Sequence, residues 1–149
     1  MCACVIMLHL GNQSYLKDTL EQAKRFKNRV ILIGDKSNKD ICECLHVEHY
    51  DLDTVKKRLI ANPHSVYDNF LRNYKHFSLN NEPFEKFCIE RWFIIHELMD
   101  IQQIHLAFIC DSDVMIYFNT DELLDLLPIT PRLLREGGKE LYISSTCEK

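Results

Sequence analysis

The chain has 149 residues, 46% of them hydrophobic and 27% charged, the composition of one globular domain over residues 1–149 with a core of its own. Its 18 Lys and Arg are scattered among 22 Asp and Glu for a net charge of −4, which excludes the basic footprint that nucleic acid demands. No apolar stretch reaches the roughly 18 residues needed to span a bilayer, and MCACVIMLHL has neither a basic n-region nor a small-residue cleavage site.

The expectation is therefore a soluble, cytoplasmic protein. Seven cysteines, most of them inside apolar strand or helix patterns, read as free thiols of a reducing compartment rather than as disulfides. Asn12-Gln13-Ser14 is formally a glycosylation sequon, but without a secretory signal it has no meaning.

In chain order, Cys4 to Leu10 (CVIMLHL) is a continuous apolar run closed by Gly11-Asn12, the pattern of a strand buried on both faces. QSYLKDTLEQAKRF follows, with Leu16, Leu20, Ala23 and Phe26 at helical spacing. A second buried run, RVILIGD, ends at Gly34-Asp35, which completes a βαβ unit within some thirty residues. After a polar loop (Lys36 to Asp40), ICECLHVEHY predicts a third, weaker strand, and DLDTVKKRLI a helix capped by Asp53 or Thr54.

Residues 61–81 are mixed and polar-aromatic and read as helix and loop. EPFEKFCIERWFIIHELMDI begins with a proline at Pro83 and carries Phe84, Phe87, Cys88, Ile95, Leu98 and Met99 on one stripe, so it predicts a long helix. IHLAFIC is then a buried strand, and Thr120 to Leu127 a capped helix stopped by Pro128. The tail PITPRLLREGGKELYISSTCEK has room for one more helix and a strand, and its carboxylates Glu136, Glu140 and Glu148 suggest no assignment as a base. Alternating strands and helices predict an α/β fold, a Rossmann-like, mostly parallel sheet flanked by helices, in which ligands collect outside the carboxyl ends of the strands. Gly11, Asp35 and Asp111 all lie at such ends.

Four residues of metal-ligating type, Cys42, Cys44, His46 and His49, crowd one stretch. The first three alternate along the predicted strand, whereas metal sites usually pair ligands two to four residues apart across a turn, so core thiols with surface histidines are the preferred reading. His9, His96 and His105 lie within or beside apolar elements and read as packing residues.

Eleven aspartates in 149 residues give roughly 0.8 Asp-x-Asp triplets by composition alone, so the bare triplet has almost no weight. Asp51-Leu52-Asp53 is explained by capping of the helix that follows. Asp111-Ser112-Asp113 stands between the apolar runs IHLAFIC and VMIYF, where unpaired charge beside buried backbone is costly, and so calls for a cation; hard carboxylate oxygens suit a divalent metal that keeps positions open for water or phosphate. The stripe of the preceding helix, counted from Phe84, includes Arg91. Either its long stem snorkels to solvent, or its guanidinium turns inward to Asp111, Asp113 or a bound phosphate.

Taken together, VIMLHLGNQSYL, RVILIGD, and FEKFCIERWFIIHELM shortly ahead of AFICDSDVMIYFNTDELLDLL resemble the GT-A fold of metal-dependent nucleotide-sugar glycosyltransferases, from Val5 to about Leu127. The resemblance implies that Leu10, Gly11 and Asp35 line the nucleotide pocket and that Asp111 and Asp113 are the metal-holding DxD pair, with Ser112 between them at the nucleotide. Arg91 would brace the aspartates or the phosphates. It also implies Mn²⁺ (or Mg²⁺) bridging the diphosphate of a nucleoside-diphosphate sugar, and an unknown glycan or other acceptor.

Only 36 residues follow Asp113, whereas this fold normally continues into an acceptor-binding half, so the chain is expected to correspond to the nucleotide-binding half, apparently truncated. Such a half exposes an edge or apolar patch and favours self-association. Two alternatives stand beside this reading. One is a non-catalytic nucleotide-binding or interaction module. The other is a haloacid dehalogenase-type phosphatase, whose motif wants Thr or Val where Met115 stands and most of its domain after the motif.

Overall fold

The computed structural model describes residues 3–62, 65–126 and 142–143. They belong to two compact units: Met1–Tyr50 with Ile104–Lys149, and Asp51–Gln103.

The first unit contains the sheet. Strands β1 (Cys4–His9), β2 (Arg29–Gly34), β3 (Glu48–Asp51), β4 (Ala107–Asp111) and β5 (Tyr142–Ile143) lie in the order β3-β2-β1-β4-β5. The β1–β2, β1–β4 and β4–β5 pairs are parallel. This is the expected Rossmann-like α/β architecture, with the strand order reversing between β1 and β4. The strand in the tail is β5, in register with β4 at Phe108↔Tyr142; the remainder of the expected tail helix and the carboxylates Glu136, Glu140 and Glu148 lie outside the described residues.

Helix α1 (Tyr15–Arg25) forms because Leu16, Thr19, Leu20 and Ala23 recur at three- and four-residue spacing and make one buried face. That face packs into a core of Val5, Met7, Val30, Leu32, Cys42 and Ile116. The alternate residues Ile6, Ile31 and Ile33 are also fully buried, as a parallel sheet requires. Asn28, itself buried, ties the end of α1 to the segment after β4. Its amide donates to the carbonyls of Ala23 and Phe118, and its oxygen accepts from Thr120 N–H at 2.8 Å.

The predicted third strand is corrected here. Lys39–Leu45 is helix α2, and only Glu48–Asp51 is extended. Asp35 closes a capping box with Asn38 around a 3-10 turn (Lys36–Asn38), which launches α2 and turns Ile41, Cys42 and Leu45 to the core. Cys42 is buried and Cys44 exposed, so the Cys-His stretch has no common strand face; His46 ends the helix in a left-handed conformation. No described cysteine is in a disulfide.

In the second unit, α3 (Leu52–Ile60) is capped by Asp51, which accepts from Thr54 N–H at 2.9 Å, rather than by Asp53 or Thr54. Helices α4 (Val66–Asn73) and α5 (Glu82–Ile101) follow. Along α5 the buried residues are Glu90, Ile94, Ile95, Leu98 and Met99. The expected stripe is therefore only half right: Phe84 is 61% exposed, and Phe87 and Cys88 are half-buried. Glu90 is held by Lys56 Nζ at 2.7 Å and by the Tyr67 hydroxyl at 3.2 Å. Tyr67, Phe70 and Phe93 stack beside it. Among the described residues no helix is long and apolar enough to cross a membrane.

Candidate functional site

The β1–β4 register sets Leu8 beside Asp111, so the segments leaving these two strands emerge side by side where the strand order reverses. Parallel α/β sheets bind ligands at such a reversal. On the other side of β1, His9 is in register with Gly34, so β2 also ends there.

Between β1 and β2 the chain builds a polar clamp. Gly11, at φ 87°, donates its N–H to Asp35 Oδ2 at 2.7 Å, and its carbonyl accepts from Asn38 Nδ2 at 2.6 Å. Asn38 is fully buried, and its Oδ1 accepts from Asp35 N–H at 3.0 Å. That oxygen would lie 2.3 Å from any Cβ placed on Gly34, so only glycine allows the approach. Asp35 Oδ1 accepts from both the hydroxyl and the N–H of Ser37. The Ser37 hydroxyl, then the Gly11 and Ser37 amides, hold the Asp35 carboxyl below the usual range. Asp35 thus shapes the Gly11 turn from within. Leu10 is exposed beside it.

Asp111, the last residue of β4, and Asp113 are both exposed and Ser112 between them is buried. A turn closed by Val114 N–H on the Asp111 carbonyl at 3.1 Å follows. Val114, Met115 and Tyr117 are exposed and only Ile116 is buried, so VMIYF is not a second buried run. Contrary to the expectation from sequence, Asp111 and Asp113 need no cation on grounds of burial, because water reaches both carboxylates. Burial first, and then the charges of Asp111 and Asp113, push the Cys110 thiol up to about 12.

The donor set fits a divalent ion only in part. Among the described residues no group of three His, Cys, Asp or Glu is arranged to hold a metal. Two carboxylates with the remaining positions filled by phosphate and water is a normal arrangement for Mg²⁺-type sites. Any cation held by Asp111 and Asp113 would need an anionic ligand or water to complete its coordination.

Of the residues expected at the site, Leu10, Gly11, Asp35, Asp111, Ser112 and Asp113 all lie in the first unit, at the ends of β1, β2 and β4. Arg91 lies in the second unit, half-buried on α5, with its guanidinium 4.9 Å from the Trp92 ring centre. Asn38 escaped the reading of the sequence, although the Asp-x-x-Asn spacing of a capping box signalled it. His9 was read as a packing residue, its one other signal being that it closes an apolar run just before a glycine turn.

No protein-family model, no curated protein and no solved structure matches the chain.

Proposed function

We propose that this chain binds the diphosphate of a nucleoside-diphosphate sugar at the ends of β1 and β4 and serves glycosyl transfer to an acceptor, as a glycosyltransferase or its nucleotide-sugar-binding half. The observation that carries this reading is the exposed Asp111/Asp113 pair at the carboxyl end of β4, beside the end of β1 where the strand order reverses. Asp111 and Asp113 would hold Mn²⁺ or Mg²⁺ through their oxygens. That ion, when bound, supplies Lewis-acid stabilisation of the negative charge that grows on the leaving nucleotide. Gly11, kept in its turn by Asp35 and Asn38, leaves backbone without a side chain beside the ligand. Leu10 contributes an exposed apolar surface for a base or sugar ring.

Calorimetry with UDP and GDP, each with and without Mn²⁺, tests this reading. Binding is expected only with the metal, and Asp113→Ala should weaken it at least about tenfold, since a carboxylate ligand is lost. Equal binding by the parent and Asp113→Ala would reject it. A second reading, a binding module without turnover, is favoured by the donor set, which offers two carboxylates and, among the described residues, no third group beside them. Release of UDP or GDP from their sugar conjugates separates the two, because a module binds them and leaves them intact.

A further inference from the structure

One buried polar side chain at this sheet edge has no part in the reading above. His9 closes β1, is 6% exposed, and has Gly34 of β2 as its register neighbour. On its other side its Nδ1 shares a hydrogen bond of 2.7 Å with the Ser112 hydroxyl. Ser112 is 7% exposed and has an exposed aspartate on each flank. The bond therefore crosses from the end of β1 to the middle residue of the Asp-Ser-Asp triplet.

Packing does not account for an imidazole here. Tyr15 at the start of α1 meets the ring edge-to-face, with centroids 5.8 Å apart, a contact that phenylalanine would make equally well. The His9 Nε2 is enclosed and has no hydrogen-bond partner among the described residues, which disfavours histidine in a purely structural role. What histidine adds, and phenylalanine cannot, is the bond to Ser112.

We infer that the His9–Ser112 bond is a tether that holds the Asp111–Asp113 loop in one geometry across the strand-order reversal, so that both carboxylates meet a cation and its nucleotide already oriented. His9 and Ser112 are positioning residues in this scheme, which rests on the nucleotide reading above. Tying down the central residue restricts its two neighbours at once. Without the tether the carboxylates remain exposed and charged, but binding must order them, and that cost falls on affinity rather than on the fold.

Four variants separate the roles. His9→Phe keeps an aromatic ring in place, somewhat larger than imidazole, and removes both the bond and the enclosed nitrogen. His9→Asn sets an amide near the position of Nδ1 and preserves the bond. Ser112→Ala removes the other partner, and the double variant His9→Phe/Ser112→Ala removes both. Affinity is read by calorimetry with Mn²⁺ and UDP, and with Mn²⁺ and GDP, alongside thermal unfolding.

Each single loss of the bond is expected to weaken the nucleotide complex roughly tenfold, the usual effect of removing a partner that orients a metal ligand. The double variant should be no weaker than the singles, since the same bond is lost in each. His9→Asn should recover most of the affinity, and the melting temperature of the double variant should stay near that of the parent. Parent-like binding by His9→Phe, losses that multiply in the double variant, or an affinity that falls only in step with melting temperature would each overturn the tether. If the parent binds neither UDP nor GDP with Mn²⁺, the nucleotide reading itself fails and takes the tether with it. Parent binding with unaffected variants overturns the tether alone.

Discussion

Glu90, not Arg91, is the charge that α5 buries, and helical phase is the reason. Glu90, Ile94 and Leu98 follow one another at four-residue steps along the buried face, and Arg91 lies about 100° round the helix from Glu90. A stripe counted from Phe84 pointed to Arg91 because it assumed that Phe84 faces inward, whereas Phe84 is 61% exposed. Exposed apolar residues are common, and a count begun at one ran through Arg91 and missed Glu90, although its later members Ile95, Leu98 and Met99 are buried. Glu90 accepts from Lys56 and Tyr67, so Glu90→Ala leaves a partly enclosed ammonium and a buried phenol unpaired. Its expected cost is about 3 kcal/mol in chemical unfolding. A loss within about 0.5 kcal/mol would mean that Glu90 is not held as a buried ion pair.

At the scale of elements, what was legible is what periodicity reports. The runs of β1, β2 and β4 and the spacing of Leu16, Leu20 and Ala23 in α1 bury most of the residues expected of them, whereas Leu10 is exposed beyond the end of β1 and Phe26, half-buried, caps α1. Helix α2 was not legible, because Ile41, Cys42 and Leu45 are too few to distinguish a short helix from an alternating strand. The deciding signal lay upstream, in the Asp35–Asn38 box that starts the helix and simultaneously holds Gly11. One polar group thus links the ends of β1 and β2 to the start of α2. Because folding holds the Asp35 carboxyl below its ordinary 3.8, its contribution is complete above that value and is lost as pH falls through the lower folded value. Amide exchange at Gly11, corrected for intrinsic rates, should therefore show falling protection in acid below that ordinary value. In Asp35→Ala the protection should be low already at neutral pH. A Gly11 amide equally protected in parent and variant would remove Asp35 from the clamp.

At the scale of the molecule, the site residues other than Arg91 come from segments far apart in sequence but within one compact unit: the ends of β1 and β2, and the end of β4 roughly eighty residues on. The sheet order brings them together, and order is what a linear pattern reports least directly: the sequence marks where strands end but not which end beside which. The exposure of Asp111 and Asp113 was hidden for a related reason, since VMIYF is apolar in composition while leaving Val114, Met115 and Tyr117 at the surface. Hydrogen exchange of the whole chain with Mn²⁺ and UDP turns this into a test. Slowed exchange is expected at Leu10 and Gly11, at Asp35, and from Asp111 to Val114. Slowing that includes α5 around Arg91 would bring that guanidinium into the nucleotide site, as the family resemblance implies. Saturating nucleotide that slows none of the strand ends would mean that the ligand binds elsewhere, and the Asp-Ser-Asp triplet would then be no more than its composition predicts.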